Sequence, residues 1–156
     1  MSVPDQDIEK ASDGPQKPLF RLQKIYLKDV SFESPAVPAV FTLEWNPSVD
    51  LQFDSDTEKV ADNLFEVSFA MTVTATVEEE IAYLIEVTQA GLFHLEGYDN
   101  KTLKEELNTT CPAVLFPYVR AEVSKLVASG GFPQMLLAPI NFHGMYDAQQ
   151  VKDELG

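Results

Sequence analysis

The chain has 156 residues, 45% of them apolar, enough for one domain that buries roughly 70% of the surface its extended form would expose. Eleven Lys and Arg stand against 25 Asp and Glu, a formal charge of −14, which disfavours nucleic acid and anionic membrane as partners and favours a basic one. One cysteine, Cys111, excludes an internal disulfide and fits a reducing compartment. Residues 1–18 lack the apolar core of a secretory signal, and no run reaches the length of a membrane span. A soluble, cytoplasmic protein is expected.

Residues 1–18 are acidic and proline-broken, and read as a disordered tail. A folded domain is expected over 19–147, with 148–156 as the end of a last helix and a tail. From Leu19, Phe20, Leu22, Tyr26, Val30 and Phe32 alternate with Arg21, Gln23, Asp29, Ser31 and Glu33, as in a strand with one buried face. Strict alternation leaves Ile25 and Leu27 on the polar face. Residues 34–48 hold three prolines and the only tryptophan; their apolar side chains predict a loop packed against something. A short strand over 49–54 precedes a polar connection, 55–63.

The clearest alternation follows. Phe65, Val67, Phe69, Met71, Val73, Ala75 and Val77 predict a long antiparallel strand with one wet face. A charged turn, 78–80, leads into a partner strand in which Ile81, Tyr83, Ile85, Val87 and Gln89 share one side. Residues 99–108 suit a short helix. Leu115, Val119, Val123 and Leu126/Val127 recur at helical spacing until Gly130 and Gly131 stop the run. Pro112 suits the first turn of that helix, and Pro117 marks either a kink or the start of its regular part. An apolar, proline-bracketed loop follows, 132–140, and Asn141 is placed to cap a last helix, 142–155. The class is α+β: a four-stranded antiparallel, Greek-key-like sheet with a long helix and a C-terminal helix packed on one face.

The chemistry is that of surfaces rather than of a reaction centre. No glycine-rich phosphate loop precedes a helix, and His94, His143 and Cys111 form no recognisable metal or nucleophile pattern. No catalytic residue, metal site or cofactor is expected, and Cys111 reads as a buried structural cysteine. Two surfaces stand out. Asp29, Glu33, Asp50, Asp54, Glu66 and Glu86 gather on the wet side of the sheet, with Ile25, Leu27 and Leu84 among them. That mixture suits a basic, partly apolar peptide. The second surface is supplied by Trp45, Phe53, Met135, Leu137, Phe142, Met145 and Tyr146, a Met- and aromatic-rich set able to repack around varied ligands.

At IYLKDVSFESP (25–35), Trp45-Asn46-Pro47, FEVSFAMTVTATV (65–77), EVTQAGLF (86–93), CPAVLFPYVR (111–120) and FPQMLLAPINF (132–142) the chain resembles the SecB family of bacterial protein-export chaperones, from about Phe20 to Tyr146. The resemblance implies a homotetramer, a dimer of dimers with the long helix between two sheets. It implies capture of unfolded precursor proteins without ATP and their delivery to the translocase motor SecA through that motor's basic C-terminal tail. It places motor docking at Asp29, Glu33, Leu84 and Glu86, and tetramer assembly at Ile85, Val87 and Gln89. A client groove is implied at Trp45, Phe53, Phe142 and their neighbours. Neither nucleic acid nor direct membrane insertion belongs to this picture. A binding protein for a lipid or another small apolar ligand is the competing reading, with one closed pocket in place of open grooves.

Overall fold

The sheet is built around its two most regular strands, β3 (Leu64–Val77) and β4 (Glu80–Glu96). Every second residue of β3 is buried, from Phe65 to Val77, as its alternating sequence demands. β1 (Leu19–Glu33) pairs with β4 and β2 (Ser48–Ala61) pairs with β3, all antiparallel, in the order β1-β4-β3-β2. The long connection from β1 to β2 makes this a Greek key. A computed structural model describes residues 17–155; most of the segment expected to be a disordered tail, 1–18, lies outside them. Three helices follow: α1 (Asn100–Asn108), α2 (Thr110–Ser129) and α3 (Phe142–Leu155). The boundary expected at 147 therefore falls inside α3.

Helix ends follow their local chemistry. Asp99 caps α1, its carboxylate accepting from the Thr102 N–H at 2.7 Å. Asn141 caps α3 in the same way, accepting from the Gly144 N–H at 3.0 Å. α2 starts at Thr110, so Pro112 sits in its first turn and Pro117 lies within it. At its far end Gly131 takes a φ of +85°. The Phe132 N–H donates to the Val127 carbonyl and the Gly131 N–H to that of Ala128, a Schellman closure. Gly130 is needed for space: a Cβ there would meet the Phe32 ring at 2.4 Å.

α2 lies over β4 and β3 on the sheet's inner face, burying Leu115, Val119, Val123 and Val127 against Val67, Val73, Ile85 and Val87. The inner faces of the two edge strands are left open. Leu22, Leu27 and Val30 of β1 and Val49, Leu51 and Phe53 of β2 are exposed there.

Three expectations require correction. Ile25 and Leu27 face inward, and Tyr26 faces outward. The register of β1 slips at Gln23 and again at Lys28, two bulges that each add one residue to β1. Each bulge inverts the phase, so the alternation is right at both ends of the strand and wrong between them. β2 continues through the stretch read as a polar connection, pairing as far as Ala61. An edge strand exposed on both faces carries no alternation to read. β4 likewise runs on to Glu96, which puts His94 within the strand, and a bulge at Ala82 turns Ile81 outward opposite Thr76, away from the side shared by Tyr83, Ile85, Val87 and Gln89.

Turned outward, Tyr26 reaches across β4 to β3, where its hydroxyl donates to Glu66; Lys28 Nζ also donates to Glu66, at 2.8 Å. Burial and the neighbouring Glu66 carboxylate push the Tyr26 hydroxyl up to about 12. The hydrogen bonds from Lys28 and Tyr26 hold Glu66 below the usual carboxylate range. The raised tyrosine stabilises the fold fully below its unfolded value of about 10. That contribution is lost as pH rises through about 12. The depressed carboxylate stabilises above its unfolded value, and that part is lost as pH falls through its folded value. Urea midpoints measured against pH should therefore lose the alkaline limb in Tyr26→Phe, whereas Glu66→Gln should lose the acid limb and only shorten the alkaline one, because burial still raises Tyr26. Unchanged limbs would show that this strap does not hold β1.

Candidate functional site

The apolar side chains read from the sequence as one groove fall into two clusters. The first lies where α2 ends and the β1–β2 crossover passes. Trp45 packs against Tyr83 at 6.4 Å and against Phe132 at 5.4 Å between ring centroids. Phe32 and Phe41 extend the stack from either side. Met135 belongs here, its sulfur 3.9 Å from the Tyr83 hydroxyl. A short 3-10 turn, Ala39–Thr42, buries Val40, so the crossover is packed, as its apolar content predicted. The second cluster joins Phe53, Phe69, Phe116 and Phe142, with Phe69–Phe142 at 5.5 Å. Beside it an open groove of about 340 Å³ is lined by Phe53, Phe142, Met145 and Tyr146.

The expected groove residues thus divide by exposure. Leu137 and Phe142 are buried and belong to the core, whereas Met145 is exposed at the groove's edge. Two side chains absent from the expected set are more available than most of it: Phe41 is 51% exposed and Leu136 is 82% exposed. The signal that could have found them was position, each being a large apolar residue in a proline-bracketed loop.

The outer face of the sheet gathers the second expected set. Neighbouring strands lie about 4.8 Å apart, and register sets the rows. One row reads Glu33, Leu84, Thr74, Asp50, the next Ser31, Glu86, Thr72, Gln52, and the third Asp29, Thr88, Ala70, Asp54. Asp29, Glu33, Leu84 and Glu86 therefore share one patch, with Asp29 and Glu33 on the edge strand β1 and Leu84 and Glu86 beside them on β4, next to the threonines of β3. Ile25 and Leu27 are not part of it.

Ile85, Val87 and Gln89 lie on the opposite side of β4, under α2, and Ile85 is fully buried in the single chain. None of the three is on a free surface. What they set is the seat of α2, whose outward side exposes Ala113, Pro117, Tyr118 and Ala121. Cys111 is fully buried in α2, and burial, reinforced by Glu106, pushes its thiol up to about 12, which leaves it without thiolate character at neutral pH. His94 lies 3.4 Å from Glu96 on the same strand.

The family model for the preprotein translocase subunit SecB matches residues 13–153. This chain belongs to the SecB family. A protein-export protein SecB of Methylococcus capsulatus is 50% identical over 133 residues, covering 85% of each chain. That of Hahella chejuensis is 44% identical over 145 residues, covering 93% of this chain and 91% of its own. Among solved structures, a SecB-like chaperone of Mycobacterium tuberculosis in complex with an antitoxin peptide superposes with a TM-score of 0.65. It covers 78% of this chain and 90% of its own at 19% identity, a likeness of fold. The α+β architecture expected from the sequence is thus that of the SecB family, and no described helix is long and apolar enough to cross a membrane.

Proposed function

We propose that this SecB-family chain is an ATP-independent holdase of the cytoplasm. It captures unfolded precursor proteins on its inner, apolar side and presents them to the SecA motor from its acidic outer face. The observation that carries this reading is the amount of large apolar side chain left open in a well-packed protomer. Phe41, Leu51, Leu136 and Met145 are all exposed while the core beneath them is closed. Large apolar side chains left exposed beside two aromatic clusters suit a binding role. The groove beside Phe53 and Met145 is a shallow cleft between β2 and α3, suited to an extended chain. A lipid carrier would be better served by a closed pocket.

Trp45, Phe41, Met135 and Leu136 form one contact region in this reading, and Phe53, Met145 and Tyr146 another. Leu137 and Phe142 support them from below. The motor's basic tail docks on Asp29, Glu33, Leu84 and Glu86. The protomers assemble as a tetramer, a dimer of dimers, through the outward side of α2, and Ile85, Val87 and Gln89 bear on assembly by seating that helix. Nothing in the arrangement needs a nucleotide or a metal, and the role is binding rather than catalysis.

The test follows aggregation of a reduced, chemically unfolded protein by light scattering. Tetramer below one equivalent per client should suppress it. Apolar contact is worth about 25 cal/mol per Å² and is not screened, whereas exposed charge contacts weaken beyond a Debye length of about 8 Å at physiological salt. Molar salt should therefore leave client capture nearly intact and abolish binding of the motor's tail. Equal loss of both would contradict the division of the faces. One tightly held lipid per chain, with no suppression of aggregation, would establish the small-ligand reading instead.

A further inference from the structure

The bulge in β1 sets two consecutive residues, Lys28 and Asp29, against Thr88 of β4. Both side chains lie on the outer face, Asp29 by its row and Lys28 by its contact with Glu66. A lysine therefore stands beside a carboxylate of the acidic patch, where a free ammonium would offset that charge and repel a basic tail. The two do not pair. Asp29 is exposed and has no ion-pair partner among the described residues. Lys28 is instead drawn across β4 to β3, where its Nζ donates to Glu66 Oε1 at 2.8 Å. Ala90, in register between Tyr26 and Ser68, is fully buried and small enough to be crossed. The Tyr26 hydroxyl donates to the other carboxylate oxygen, Oε2, so both oxygens of Glu66 are held. These bonds keep Glu66 ionised, and Glu66 raises the Lys28 ammonium above its usual value.

We propose that Glu66 is a positioning residue for motor docking: by holding Lys28 over β3 it keeps the ammonium from Asp29 and leaves that carboxylate to the incoming basic tail. The proposal rests on the reading of the outer face as the motor's docking surface. Glu66 acts through Lys28 rather than by touching the tail. Lys28, once released, becomes a competitor for the patch from within the same chain.

The experiment uses the full chain and a fluorescein-labelled peptide of the motor's basic tail, whose Kd is read by fluorescence anisotropy. Glu66→Gln should weaken the peptide about three- to tenfold, since exposed charge contacts contribute modestly. Lys28→Met should bind it at least as tightly as wild type. The double variant Glu66→Gln/Lys28→Met should regain wild-type affinity although both bonds to residue 66 from β1 cannot be restored. Lys24 is exposed on the same strand and face. Glu66→Gln/Lys24→Met therefore carries the same net charge as the first double variant, yet should stay weak because Lys28 is still free. Capture of an unfolded client should be the same in all four. Equal rescue by both double variants would reduce the effect to net charge and overturn the proposal. Failure of Lys28→Met to rescue would also overturn it, marking Glu66 as a contact of the tail or as a purely structural tie. Glu86→Lys separates the two levels. Loss of the peptide there, with no effect of Glu66→Gln, sinks the positioning role alone. An unchanged Kd in Glu86→Lys sinks the docking reading and the positioning role with it.

Discussion

Phe69→Ala should cost about 3–5 kcal/mol of stability, the range for removing a large aromatic from a closed core. Phe69 is fully buried and sits at the centre of the second cluster, with Phe53, Phe116 and Phe142 each within 6.2 Å between ring centroids. Phe142 is the first residue of α3 and the only one of that helix in the core. Losing its partner should therefore do more than leave a cavity. Hydrogen exchange should show α3 losing protection in denaturant too weak to unfold the sheet, and the urea midpoint should fall. A loss below about 1 kcal/mol with α3 still protected would mean that something other than the phenylalanine cluster holds this helix.

Ala121→Glu should leave the protomer folded and reduce the assembly from tetramer to dimer. Ala121 is exposed on the outward side of α2, so a glutamate there disturbs no core contact of the single chain. In the proposed tetramer the same position lies between two protomers, where an unpaired carboxylate costs several kcal/mol of desolvation. Each 1.4 kcal/mol weakens association about tenfold. The midpoint of urea unfolding should move little once compared with a wild-type dimer, while light scattering reports the lower mass. An unchanged mass at micromolar concentration would place the interface elsewhere on the chain.

β3 was legible because it is buried on one face along its whole length and repeats with period two, and β4 does so from Tyr83 onward, its only misread side chain being Ile81, ahead of the bulge at Ala82. β1 was misread only between its bulges. Gln23 and Lys28 have no side-chain feature that marks an extra residue, and the slip shows only against β4. The second half of β2 was illegible for a different reason: from Asp56 to Ala61 every side chain is exposed, and pairing there rests on the backbone alone.

The candidate surfaces were legible to different degrees. Asp29, Glu33, Leu84 and Glu86 follow from alternation, because the β1 phase is right again beyond Lys28. Trp45 and Phe53 were recognisable as aromatics with more apolar surface than their segments need. Their separation into two clusters was not, since it depends on where the crossover and α3 pack. Leu137 and Phe142 show the limit of composition as a guide. Their neighbours Leu136 and Met145 have similar character, and only the turn of the chain decides which of each pair is buried.

The central claim is that one face of the sheet takes client and the other takes the motor, and Glu86→Lys tests it most directly. Leu84 and Glu86 alternate with Ile85 and Val87, so this reversal of charge leaves the helix side untouched. Two titrations on the variant are compared with wild type, one with the motor's basic tail and one with an unfolded precursor. The account predicts that the tail is lost while the precursor binds as before. Loss of the precursor with the tail still bound would contradict it.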